Sequence, residues 1–232
     1  MGLPVIPRNP ANLLISSGTS GTRSETPAAG ETAFVFVACT TGGDGASVTG
    51  AGATWTKIRD DSDGTRRTII FRGTGLTAGS SQTVTLSFTN TTTCRWSWLA
   101  STGISTLTPD GDNDSKTTAS STRTSTDTVT SLTTNNNVVV VLAMTLSAQA
   151  TSIVVPAGFS RITAATSAVT LAYAVLSTGL SANTLAVTHA SITASGIGSA
   201  ASFNGDDQAT GQPMAKRWGG VPHNGFRRRG MW

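Results

Sequence analysis

An internal repeat constrains this chain more than any other feature, and a repeat decides architecture before any single strand is assigned. The run Ala33-Phe34-Val35-Phe36-Val37-Ala38-Cys39-Thr40 matches Val138-Val139-Val140-Val141-Leu142-Ala143-Met144-Thr145. Trp55-Thr56-Lys57-Ile58 then matches Phe159-Ser160-Arg161-Ile162, and Thr74-Gly75-Leu76-Thr77-Ala78 matches Thr178-Gly179-Leu180-Ser181-Ala182. Val84-Thr85 follows with Val187-Thr188, and Ala100-Ser101 with Ala201-Ser202. The order is kept and the offset stays near a hundred residues. Chance similarity in a Thr/Ser-rich chain is the competing explanation, but the matched sites include the rarer residue types.

The repeated segments read as strands. Thr fills about one position in six, and charged residues make up only 12% of the chain, about half the usual share. β-Branched Thr and Val favour strands over helices, and no stretch sustains a period of 3.6. Alternation is visible at 68–72 and at 82–88, where Val84, Leu86 and Phe88 share one face. In Arg95-Trp96-Ser97-Trp98-Leu99 the two tryptophans share a face. Their repeat counterparts, Ile197 and Ser199, are apolar or small, which assigns Trp55, Trp96 and Trp98 to core packing rather than to sugar stacking. The segments 34–39 and 138–144 are apolar on both faces and belong in the middle of the stack. Asp63-Gly64 between two strand patterns marks a hairpin turn. The expected fold is all-β: an antiparallel double-layer β-sandwich, jelly-roll-like, built from two duplicated halves.

The domain plan follows. Residues 1–12, with three prolines among the first ten, form an extended N-terminal arm. The sandwich covers 13–205 as a single domain, with halves at about 13–107 and 115–205 and a polar linker at 108–114. Residues 206–232 form a basic, aromatic C-terminal arm. Large aromatics are uncharacteristic of a free tail, whereas Trp and Arg are favoured anchors at interfaces. Lys216, Arg217, Trp218, Phe226, Arg227, Arg228, Arg229 and Trp232 are therefore the candidate partner-binding residues.

Chemistry-bearing motifs are sparse. Two histidines, His189 and His223, have no neighbouring nucleophile or acid at an interpretable spacing. No catalytic residue, cofactor-binding residue or metal ligand is assigned, and the chain is read as no enzyme. Asp60-Asp61-Ser62-Asp63-Gly64 and Asp110-Gly111-Asp112-Asn113-Asp114 offer hard oxygen ligands, but neither closes with a bidentate Glu; solvated turns are the plainer reading. Residues 18–23 lack the Gly-Lys-Ser/Thr ending of a phosphate loop. Cys39 and Cys94 lie in apolar strands and read as buried free thiols. The net charge of +4 rests largely on the tail, so nucleic acid is not an expected partner. The N-terminus has no signal-peptide pattern, and no apolar run approaches a membrane span.

Some segments carry a resemblance. Ser47-Val48-Thr49-Gly50-Ala51-Gly52-Ala53-Thr54-Trp55-Thr56 resembles the SVTDxxGNTWT segment of β-sandwich modules found in tailed-phage virion proteins and some bacterial surface proteins. Residues 79–88 are similar to their AGTxTVTVTxS strand, and residues 98–104 match a further strand loosely, without its acidic residue. Lys216-Arg217-Trp218-Gly219-Gly220-Val221-Pro222 looks like the C-terminal tail of phage structural and minor tail proteins. The resemblance runs from Ala33 onward and carries over no catalytic or binding residue. It implies a non-enzymatic virion component, either a capsid decoration or head fibre or a minor tail protein. Its expected partners are other virion proteins and further copies of itself. A carbohydrate-binding or host-adhesion module, contacting a host-surface glycan, is the alternative.

Overall fold

The computed structural model describes residues 3–104, 115–123, 126–132, 134–164, 167–181, 183–190 and 194–205. The linker 108–114 and the whole tail 206–232 lie outside them. Among the described residues all the regular elements are strands, and every pairing between them is antiparallel.

The first half contributes β1 (Leu13–Glu25), β2 (Thr32–Thr41), β3 (Ser47–Gly50), β4 (Thr54–Ser62), β5 (Arg67–Thr74) and β6 (Gln82–Ser101). They hydrogen-bond in the order β1-β6-β2-β5-β4, with β3 added to β6. Strand β6 is long enough to serve two layers. Residues 84–87 pair with β3, while residues 93–101 pair with β2. Register shifts interrupt the β1–β6 ladder around Gly18, next to Ser17 at φ 51°. Such irregularities bend a strand pair, and both parts of β6 consequently face one core. Val84, Leu86, Trp96 and Trp98 pack there with Ile15, Val35, Val37, Val48, Ile69 and Phe71.

The second half contributes β7 (Ser115–Arg123), β8 (Thr126–Leu132), β9 (Val138–Leu146), β10 (Ser152–Val154), β11 (Ser160–Arg161), β12 (Val169–Leu176), β13 (Asn183–Ala190) and β14 (Ala194–Asn204). Five of them form a sheet in the order β11-β12-β9-β14-β7, and β10-β13-β8 form another. Val140, Leu142 and Met144 on one face of β9 meet Ile153, Leu185 and Val187 of the smaller sheet.

A third core joins the halves. Phe34, Phe36 and Ala38, on the other face of β2, pack against Val139, Val141 and Ala143, on the other face of β9. Ile70, Leu99, Leu171 and Phe203 complete this layer, and the Phe34 and Phe203 rings lie 4.3 Å apart between centroids. Three cores thus separate four layers of strands where the sequence suggests two. The physical reason is the doubly apolar character of β2 and β9: with no residue exposed along residues 32–39 or 138–146, each needs a packed layer on both sides.

One polar cluster within this inter-half layer is bonded across it. The Ser199 hydroxyl donates to Asp61 Oδ2 at 2.7 Å and lies 2.5 Å from Thr68 Oγ1. With Ser199's single proton committed to the carboxylate, Thr68 must be the donor in the second contact.

Candidate functional site

Strand directions define two poles. At the first, Val5 and Thr102 exchange backbone hydrogen bonds of 3.2 and 3.0 Å. Ile104 bridges Gly205, whose N–H donates to the Asn137 carbonyl at 2.8 Å. Val5 and the end of β14 therefore lie side by side at this pole.

Residues 3–12 hold no strand of their own and dock on the body. Ile6 packs against the inter-half core. Arg8 reaches Glu31 at 2.5 Å and the Thr26 carbonyl at 2.7 Å, with Glu25 at 3.8 Å. Glu31 is fully buried and also accepts from the Ala28 N–H at 2.9 Å, while Arg23 pairs with Glu25. Nothing in the sequence pattern flags this cluster, because Arg8 and its acidic partners lie 17 and 23 residues apart. At the same pole, Leu3 and Val5 are exposed.

The opposite pole carries the charge. The turn joining β4 to β5 holds Gly64 at φ 91°, as Asp63-Gly64 predicts. Burial raises the Asp63 carboxyl, but N–H donors from Arg66 and Thr65 and the Arg66 guanidinium more than offset it, leaving it below the ordinary Asp value. Asp60 lies between Lys57 Nζ at 2.7 Å and Arg67 at 3.0 Å, and Arg67 also holds Asp44 at 2.7 Å. Asp61 pairs with Arg59 at 3.2 Å. Each carboxylate of this acidic turn already has a cationic partner, so the arrangement is an ion-pair network on a hairpin. Among the described residues, no group of three His, Cys, Asp or Glu is placed to hold a metal. The second acidic stretch, 110–114, lies outside them.

Two clefts open at this charged pole along the seam between halves. One, of 380 Å³, is lined by Thr40, Thr65, Arg66, Ser147 and Gln149 among others. Its neighbour, of 160 Å³, is bordered by Leu14, Thr40, Thr93, Cys94, Arg95 and Ala168. Beneath the second lie Cys39 and Cys94, directly opposite each other on β2 and β6, both buried and both free. A hydrogen bond from Cys94 pulls the Cys39 thiol below its ordinary value against the effect of burial, whereas the same contact and burial push Cys94 upward.

Trp96 and Trp98 are almost wholly buried. Trp55 is half-buried, stacks edge-on against Trp98 at 5.7 Å and donates Nε1–H to the Gly50 carbonyl at 3.1 Å. Its ring lies over Gly73 of β5, where any Cβ would come within 2.7 Å of it. Neither Trp96 nor Trp98 is free to stack on a ligand. The eight candidate partner-binding residues, Lys216, Arg217, Trp218, Phe226, Arg227, Arg228, Arg229 and Trp232, all lie outside the described residues.

Comparison of the chain with protein-family models, curated proteins and solved structures gives no match.

Proposed function

We propose that the chain is a non-enzymatic structural component of a tailed-phage virion, a β-sandwich body displayed outward and attached through its terminal arms. The observation that carries this reading is the placement of the chain's exits. The N-terminal arm and the end of β14 leave together at one pole, through the Val5–Thr102 and Ile104–Gly205 bridges. The charged hairpin and the clefts lie at the other. A body tethered at one pole presents the opposite pole to its surroundings. Such a body can serve as a capsid decoration, head fibre or minor tail protein, with other virion proteins and further copies of the chain as partners.

The body's construction supports a duplicated, jelly-roll-like origin. The order β1-β6-β2-β5-β4 corresponds strand for strand to β7-β14-β9-β12-β11, and the β1-β6-β3 pairings correspond to β8-β13-β10. In the packed layer β2 faces β9, β12 lies over β2 and β6, and β14 lies over β4 and β5. Corresponding strands thus exchange partners across the seam, the relation expected of a fused dimer with a pseudo-twofold axis along the strands.

The C-terminal arm supplies attachment. Trp218, Phe226 and Trp232 bring large apolar area, each worth about 2–3 kcal/mol when buried; Gly219-Gly220 and Pro222 disfavour a helix. The arginines set orientation at the rim. Deleting the residues after Gly211 leaves a folded, soluble body that no longer joins the particle. A truncated chain incorporated at normal occupancy overturns the assignment. Host adhesion is the second reading, favoured by the hydroxyl, amide and guanidinium lining of the larger cleft. A glycan would be held there by hydrogen bonds, since Trp96 and Trp98 are committed to the core.

A further inference from the structure

We propose that Cys39 and Cys94 form a site of reversible oxidation, closing to a cross-strand disulfide when a peroxide enters the small cleft beside Cys94. The argument is geometric and independent of the virion reading. The two residues are register partners on adjacent antiparallel strands. Opposed pairs in such ladders have Cα atoms about 4.5–5.5 Å apart, inside the roughly 4.4–6.8 Å range a disulfide spans. Both side chains face the same core, so the sulfurs approach across the ladder without any backbone rearrangement. The Cys39 sulfur is crowded on its other side, where a Cβ at Gly43 would sit 2.8 Å from it; Gly43 holds φ 97°.

Access comes through Cys94. Residue Cys94 borders the 160 Å³ cleft, which has room for a molecule the size of hydrogen peroxide. Its sulfur lies beneath on the core face of β6, so peroxide reaches it by passing the strand edge. The thiol–thiol hydrogen bond shares the negative charge when the pair loses its first proton, which supplies the thiolate that peroxide requires. That thiolate attacks one peroxide oxygen, the O–O bond breaks, and the departing hydroxide takes up a proton to leave as water. The sulfenic acid formed is then attacked by the second sulfur: its S–O bond breaks, the S–S bond forms, and hydroxide leaves with the second thiol's proton as another water. Two thiols and one peroxide thus give one disulfide and two waters. The product staples β2 to β6 at the charged pole, next to the seam between the halves.

The test uses the full chain, purified under reducing conditions and then exposed to hydrogen peroxide while folded. Thiols are counted after denaturation, and intact mass and peptide mapping follow. The expected result is loss of both thiols, a mass lower by two hydrogens, a linked Cys39–Cys94 peptide, no covalent dimer, and full reversal by dithiothreitol. Ala168→Phe, which fills the cleft, slows the reaction several-fold without changing its product. Persistence of both thiols, a mass raised by oxygen atoms, or intermolecular linkage overturns the proposal, as does a rate unchanged by Ala168→Phe.

Discussion

Phe203→Ala tests the claim that one apolar layer couples the two halves. Phe203 sits on β14, is 1% exposed, and lies 4.3 Å from the Phe34 ring of the first half at an interplanar angle of 36°. Truncating a buried Phe costs about 3–5 kcal/mol, including the ~0.5–1.5 kcal/mol of a paired aromatic contact. Collapse of the cavity is resisted here, because Val139 beside Phe203 and Leu99 beside Phe34 belong to hydrogen-bonded ladders. The expected loss is therefore near the middle of that range, about 4 kcal/mol, or roughly 10 °C in Tm for a body of this size. The informative assay follows two probes in urea. Trp55, Trp96 and Trp98 report the first half once Trp218 and Trp232 are replaced by Phe, and far-UV circular dichroism reports the whole. The mutation lies in the second half, yet both transitions should shift together to a lower midpoint. A fluorescence midpoint left in place while dichroism shifts, or a loss below about 1 kcal/mol, would refute the coupling.

Three further outcomes are expected. Gly50→Ala places a Cβ 2.0 Å from the Thr83 carbonyl at φ 97°, whereas Gly64→Ala meets nothing within 4 Å at φ 91°; the first should cost at least about 2 kcal/mol in chemical denaturation and the second about 1 kcal/mol. Asp63→Asn removes a carboxylate whose folded pKa is depressed, so the stabilisation is present above the unfolded value of about 3.9 and is lost as pH falls through the folded value. The Tm gap to the parent should be full near neutrality and close in acid; a gap that persists at the lowest pH would exclude the ionised form as its source. Arg8→Ala leaves buried Glu31 without its guanidinium, and since Arg8 is one-third exposed the loss is reduced to about 1–2 kcal/mol. Limited proteolysis should then cut within residues 3–12 faster than in the parent, and an unchanged rate would remove Arg8 as the clamp.

The strand class and the doubly buried strands were legible because they depend on local chemistry. Eight or more consecutive apolar or β-branched residues at 32–39 and 138–146 permit little else. The sequence matching picks out positions in similar surroundings wherever large residues mark them. Cys39 and Met144 fall in the two outer cores, Trp55 and Phe159 pack against those same cores, and Ile58 and Ile162 both pack against the shared one. It blurred where side chains are small. Sequence matching sets Trp96 and Trp98 against Ile197 and Ser199, but the ladders place Trp98 opposite Val35 and Ser202 opposite the equivalent Val140. A run of Gly, Ala and Ser offers no size marker to fix register. The docking of Arg8 was invisible for a different reason, since an ion pair between distant residues leaves no periodicity. The eight tail residues proposed for attachment rest on the sequence alone.

A low-charge chain can still carry a concentrated polar surface if its charge is confined to one end, and the packing here dictates which end. Strands β2 and β9 run in the same sense through the centre, and their shared apolar layer admits charge only at its edge, where Asp61 meets Ser199. The larger ion-pair network gathers at the turns and edge strand β4, where Lys57, Arg59, Arg66 and Arg67 meet Asp44, Asp60, Asp61 and Asp63, while Arg8, Arg23, Glu25 and Glu31 form a smaller one at the other pole. The other pole is occupied by the chain's two exits and the Arg8 clamp. The seam runs along the strands, and β6 and β14 both end at the same pole, beside Val5. The asymmetry on which the proposed one-point attachment relies therefore follows from β2 and β9 running in the same sense against one shared core.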